Sequence, residues 1–288
     1  MSALARLWSQ PMVRVGLGLT GLGLMALAVA RFALGQRQPP ERCPPGLALS
    51  GERCCGVGQT LVNGACRGRA SSCSLGQELN EAGQCVARFG VVSLAGGVLD
   101  IGAADWDGAS DGVRFPRTEV AAFRLDLAEV TVQRFRACTA CVRACPSCAA
   151  AESGLPVVGV SPEGAERFCA SQRGRLPTAA EWVWAAAGSS ARRYPWGNSG
   201  LVCRRAAFGL SHGPCGEGDG PELVGSRPDG ASPDGVLDLA GNVAEWAREA
   251  SGAYAARGGS FRSRAAAELK SWSALPDREK ALYIGFRC

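Results

Sequence analysis

The chain has 288 residues, 47% hydrophobic and 20% charged, with 31 Lys+Arg against 26 Asp+Glu and a formal net charge of +5. This excludes wholesale disorder, and with no Arg/Lys run longer than two residues it points away from a nucleic-acid face. Fourteen Cys stand beside a single His, His212, which excludes a metal site built on two or three imidazoles and leaves little room for a His-based triad.

Arg6 and Arg14 precede an uncharged apolar run from Val15 to Ala30. The run is long for a signal-peptide core and short for a membrane span. Ala28-Val29-Ala30 has the small-x-small pattern of a cleavage site, and Phe32 to Gly35 extend the stretch beyond Arg31. Residues 1–35 are expected to form a hydrophobic helix, either a cleaved signal or a membrane anchor through residues 15–34. Both readings export the rest of the chain to the periplasm, cell envelope or extracellular space. There an even number of Cys reads as disulfides.

Residues 36–88 carry an internal repeat: CPPGLALSGERC (43–54), CGVGQTLVNGAC (55–66) and CSLGQELNEAGQC (73–85). Gly or Asn-Gly in each unit is a turn former, so each reads as a hairpin closed by its own bridge. Cys43–Cys54, Cys55–Cys66 and Cys73–Cys85 is the simplest of the possible pairings. With almost no aromatics the units cannot build a core, so bridges must hold them as a stalk or small recognition module.

Residues 89–288 are expected to form one α+β domain with much irregular chain. Val91 to Gly102 reads as a strand pair broken at Gly96-Gly97, and Val120 to Thr131 as a strand. Thr131 then caps a helix with Val132, Phe135 and Val142 on one face. Ser161-Pro162 starts a second helix that buries Ala165, Phe168 and Cys169. Thr178 to Glu181 is a capping box that starts a third, through Trp182, Trp184 and Ala187 to a stop at Gly188. Cys138, Cys141, Cys145 and Cys148 are spaced x2, x3, x2. Pro146 echoes the tail of a ferredoxin run, but Phe135 stands where a further ligand would sit. Two local disulfides are expected in preference to zinc or iron–sulfur, with the pairing open. Neighbours three apart on a continuous helix bridge poorly, so that helix should end by Cys141. Cys203 and Cys215 bracket a short loop containing His212 and are expected to pair.

Six segments recur in one order: LAGGVLDIG (94–102), LDLAEVT (125–131), PVVGVS (156–161) with GRLPTAAEW (174–182), YPWGN (194–198), DLAGNVAEW (238–246), and RGGSF (257–261) with IGFRC (284–288). Together they resemble the formylglycine-generating enzyme family, also called sulfatase-modifying factor domains, across residues 89–288. The resemblance implies a compact C-type-lectin-like fold with low regular secondary structure. Active members oxidise a Cys of a sulfatase peptide to formylglycine with copper and O₂. A second branch forms sulfoxides at a non-haem iron held by three His.

The resemblance places the two copper thiolates just after Gly-Gly-Ser. Those positions are Ser263 and Glu268 here. A protonated hydroxyl and a hard carboxylate are poor ligands for Cu(I), so copper is not expected. His212 alone cannot supply the iron site. Arg257, Ser260, Phe261, Arg262, Ser263 and Glu268 follow the family's peptide-binding place and are the groove candidates. Asp238, Gly241, Val243 and Glu245 match a family calcium site, so a structural calcium ion is expected. At a second calcium position Ala206-Ala207-Phe208-Gly209 lacks the family's Asn. Cys169 and Cys288 match a family disulfide. Trp182, Trp184, Trp196 and Trp246 are expected mostly in the core, with some free to line a groove, and Arg192-Arg193 and Arg204-Arg205 on a solvated surface in preference to an acidic partner's site. The resulting expectation is an exported, non-catalytic binding or scaffolding homologue. Its ligand would be an extended peptide or cell-envelope protein, with membrane contact through residues 15–34 if uncleaved. The alternative is an oxidoreductase of altered chemistry acting on a protein or peptide through Ser263, Glu268 or His212.

Overall fold

Turn formers between short alternating segments dictate hairpins across the Cys-rich stretch, and the computed structural model contains three. It describes residues 43, 46–51, 53–62, 65–73, 77–79, 83, 85–87, 90–101, 115–201, 203–209, 215, 220–275 and 281–288. The expected N-terminal helix and His212 lie outside the described residues. Among the described residues no helix is long and apolar enough to cross a membrane.

β1 (Leu47–Ser50) pairs with β2 (Arg53–Gly56), β3 (Thr60–Val62) with β4 (Ala65–Arg67), and β5 (Gln77–Leu79) with β6 (Cys85–Ala87), all antiparallel. The bridges are Cys43–Cys54, Cys55–Cys66 and Cys73–Cys85, as the repeat implied. The hairpins also dock on one another. Leu61 N donates to Ser50 Oγ at 2.9 Å, and Ser71 N to Val57 O at 2.6 Å. Cys54 and Cys55 are buried, so cystine replaces the missing aliphatic core.

β7 (Val91–Leu94) and β8 (Gly97–Ile101) flank the Gly96-Gly97 break but do not pair with each other. β7 pairs with β10 (Phe123–Asp126), and β8 with β9 (Phe115–Val120). Gly97 has φ 144°, and a Cβ there would lie 2.6 Å from the Trp184 ring, so the chain crosses that indole at a glycine.

α1 (Val132–Arg136) is capped by Thr131 Oγ1, which accepts from Arg134 N at 3.1 Å. It stops short of Val142, which sits exposed in a 3₁₀ turn over 142–144; the expected inward face therefore contains Val132 and Phe135 only. Cys138–Cys141 and Cys145–Cys148 settle the open pairing as two adjacent bridges. α2 (Pro162–Ser171) starts at the Ser161 cap, and α3 (Ala179–Ala187) has the full Thr178/Glu181 capping box and ends at Gly188 with φ 62°. A four-stranded sheet closes the domain. Its order is β13 (Ala274–Leu275), β12 (Tyr254–Arg257), β11 (Ala244–Arg248), β14 (Ile284–Gly285), with β14 parallel to β11.

Two large apolar clusters, with smaller ones beside them, pack the domain among the described residues. Phe135, Phe168 and Phe286 pack with ring centroids 5.3 to 6.2 Å apart beside Trp246. Leu99, Leu125, Trp182, Val183 and Trp272 make the other. Cys169–Cys288 joins α2 to the C-terminus, and Cys203–Cys215 closes its short loop.

Candidate functional site

β12 ends at Arg257, and Gly258 and Gly259 then take φ of 86° and 66°. Only Gly adopts that backbone readily, and here it also needs the space. A Cβ on Gly259 would lie 2.8 Å from both Ser263 Oγ and Glu268 O. The Ser263 hydroxyl and the Glu268 backbone carbonyl thus both crowd this glycine. Ser263 Oγ accepts from Ser260 N at 3.0 Å, and Ser263 N donates to Ser260 O at 2.9 Å. Ser260 Oγ accepts from Arg262 N at 3.1 Å. Both Ser are 1% exposed, so their hydroxyls close a turn.

That burial corrects part of the expected groove. Ser260 and Ser263 do not line an open surface, and neither does Arg257. The Arg257 guanidinium donates to Glu249 Oε1 and to Trp272 O, inside the domain. Burial lowers its pKa, with Glu249 opposing. Of the six candidates, Arg262 is exposed, Glu268 half-buried, and Phe261 buried at 9% exposure. Arg262 lies 5.5 Å from the Phe261 centroid and 5.8 Å from that of Tyr283. Nearby, Leu269 shares an apolar cluster with Tyr194 and Phe208, and Trp196 packs against it. Tyr194 stacks on Trp196 at 5.1 Å, and Arg205 lies 5.7 Å over the Trp196 ring. The surface here is a series of guanidinium–aromatic pairs, suited to carboxylates and planar groups. Arg192 and Arg204 depart from the expected solvated surface. Arg192 donates to Pro195 O and Ala186 O, and Arg204 pairs with Asp229 at 3.2 Å.

The expected calcium residues lie in a buried charge cluster. Arg287 is fully buried and donates Nε to Glu245 Oε2 at 2.6 Å and Nη2 to Glu245 Oε1. Trp182 Nε1 also donates to Glu245 Oε2, at 2.8 Å. Burial disfavours the Arg287 charge, but Glu245 outweighs it and the pKa rises. Both oxygens of Glu245 are therefore held by an internal cation, and the carboxylate is not free to ligate calcium. Asp238 Oδ2 accepts from Gly225 N at 2.6 Å. Among the described residues no three His, Cys, Asp or Glu converge as a metal site. Of the four expected ligands, the two carboxylates are thus already engaged within the protein.

A third carboxylate, Glu129, accepts from Asn242 Nδ2 at 2.7 Å and Val243 N at 3.2 Å. Burial raises its pKa well above the ordinary value, and the charges of Asp238 and Glu245 add to this. Burial likewise raises Asp238 from 3.8 to about 6, against the Gly225 N–H. The folded state then holds protons that the unfolded chain has released. Stability should fall as pH rises from about 4 to about 6, by an order of 1–3 kcal/mol. In urea titrations across that window, Asp238→Asn should flatten the fall and a chelator should leave it unchanged. A rise with pH, or a loss of stability on chelation, would contradict this assignment. Glu129 and Arg287 had no role assigned from sequence. Their signal was a charge inside an apolar motif, LDLAEVT and IGFRC, where only a paired charge survives burial.

Residues 78–288 match the family described as FGE-sulfatase, the sulfatase-modifying factor enzyme 1-like domain. The hercynine oxygenase of Mycobacterium tuberculosis is 39% identical over 95 residues, 32% of this chain and 21% of that protein. The inactive C-alpha-formylglycine-generating enzyme 2 of Bos taurus is 41% identical over 99 residues, 32% of each chain. The chain thus spans under a third of the length of these curated relatives. Among solved structures, PvdO from Pseudomonas aeruginosa superposes with a TM-score of 0.54 at 19% identity, covering 75% of this chain and 98% of that one. Treponema denticola variable protein 1 gives a TM-score of 0.53 at 18% identity, covering 73% and 97%. At such identities the likeness is one of fold alone.

Proposed function

The chain belongs to the sulfatase-modifying factor enzyme 1-like domain family, and from that membership we propose that it is an exported, non-catalytic binding member. The observation that carries the reading is the pair Ser263 and Glu268 where the family chemistry calls for two thiolates. Ser263 Oγ is buried and engaged with Ser260 N, so it offers neither a soft ligand nor a nucleophile with a base beside it. The described cysteines are all bridged, which removes a substitute thiolate from elsewhere. One His cannot build the three-imidazole iron site attached to the oxygenase branch. Seven bridges support an oxidising compartment and hence export.

The ligand proposed is an extended acidic peptide or envelope-protein segment. It would be held on the aromatic–arginine surface of Arg262, Phe261, Tyr283, Trp196 and Arg205. Each exposed cation–aromatic contact is worth about 0.5–1 kcal/mol, so several must act together.

Position equivalence is tested by rebuilding the site. The full chain carrying Ser263→Cys and Glu268→Cys should bind one Cu(I) in a competition titration with a chromophoric chelator, while the parent chain binds none there. Tight Cu(I) binding by the parent, lost on Ser263→Ala, would overturn the reading.

A further inference from the structure

The two bridges at 138–148 differ in kind from the long-range clamp Cys169–Cys288. Cys138–Cys141 and Cys145–Cys148 each span three residues, whereas Cys169–Cys288 spans 119. A bridge that closes so short a loop removes little entropy from the unfolded chain, so its worth to the fold is small. The backbone already holds each pair. Cys141 N donates to Cys138 O at 2.8 Å, and Cys148 N to Cys145 O at 3.1 Å. Arg136 clamps the segment independently, with Nε donating to Cys148 O at 2.7 Å and Nη2 to Ala151 O at 2.6 Å. Opening either bond therefore leaves its two sulfurs in reach of each other. The inner pair also has partners for a reduced state. Cys145 Sγ lies 3.6 Å from Ser147 Oγ, which can donate to a thiolate, and 3.7 Å from Val158 O, which can accept from a thiol. The outer pair is the less enclosed of the two, although both belong to the apolar cluster around Phe135. Cys138 is the most exposed of the four at 8%, and Ala137, Thr139 and Ala140 around it are exposed.

We infer that Cys138–Cys141 is a thiol–disulfide exchange site that oxidises a dithiol of a protein or peptide partner. A partner thiolate attacks Cys138 Sγ, forming a mixed disulfide and breaking the bond to Cys141, which leaves as thiolate. The partner's second thiolate attacks the mixed disulfide and releases Cys138. Two electrons pass to this chain, the partner gains one disulfide, and its two thiol protons end on Cys138 and Cys141.

The test incubates the full oxidised chain with a reduced synthetic peptide carrying two Cys, then alkylates and maps both. The peptide should gain its disulfide while Cys138 and Cys141 become alkylated and Cys169 and Cys288 stay bridged. In glutathione buffers the 138–141 bond should open at a reductant ratio at least tenfold milder than 169–288. Cys138→Ser with Cys141→Ser should abolish transfer and leave the melting temperature within a few degrees. Absence of transfer, transfer undiminished in that variant, or opening only together with 169–288 would overturn the inference.

Discussion

Arg287→Ala is expected to lower the free energy of unfolding by about 3–5 kcal/mol. The guanidinium is fully buried and makes contact with three other segments. It binds Glu245 on β11, donates Nη1 to Asp126 O at 3.2 Å and Nη2 to Leu237 O at 2.8 Å, and is itself next to the C-terminus. Truncation leaves Glu245 with Trp182 as its remaining partner, beside Glu129 and Asp238, and orphans two carbonyls. An uncompensated buried carboxylate is among the costliest defects a core can carry. The pair itself is a weaker stabiliser than its removal suggests, because desolvation offsets most of the attraction. Arg287→Met combined with Glu245→Leu should therefore recover most of the loss. Urea unfolding of the two variants checks this: a single-variant cost below about 1 kcal/mol would place Arg287 outside the role assigned.

Replacing Cys169 and Cys288 together by Ser is expected to cost about 4–5 kcal/mol on the chain-entropy relation, for a loop of 119 residues. The bridge closes over a register already set by hydrogen bonds. Asp126 N donates to Cys288 O at 2.8 Å, and Cys288 N donates to Asp126 Oδ2 at 2.9 Å. Asp126 also pairs with Arg134 of α1 at 2.8 Å. Since Arg287 and Cys288 anchor the same terminus, their losses should be less than additive. Thermal unfolding of the double variant, measured under non-reducing conditions, should show a fall of many degrees. A change of only a few degrees would mean that these contacts hold the terminus without the sulfur.

The parts of this molecule legible from sequence were those with local or covalent rules. Thr131, Ser161 and Thr178 cap the helices they were expected to cap, because a cap is decided within four residues. The repeat bridges followed from turn chemistry within each unit. Illegible were the positions where distant charge is buried. Arg257 and Glu245 read as groove and ligand groups, and Arg287 had no reading at all, since charged side chains are rarely enclosed. Their partners, Glu249 and Trp272 for one and Asp126 and Leu237 for another, are set only once the sheet closes. Val142 failed for a similar reason: the turn at Cys138 to Cys141 ends the periodicity that assigned it a buried face. At the candidate site the substitution of both thiolate positions was visible at once. What was not visible is that Ser260 and Ser263 turn inward on each other, which leaves Arg262 as the exposed residue of that run.

Aldehyde formation is the decisive measurement. The full chain would be supplied with Cu(I) and O₂ and a Cys-containing sulfatase-type peptide, with a hydrazide trap and mass spectrometry to detect formylglycine. No aldehyde should form above the enzyme-free reaction, because positions 263 and 268 carry Ser and Glu in place of thiolates. Aldehyde formed by the parent chain and lost on Ser263→Ala or Glu268→Ala would contradict this.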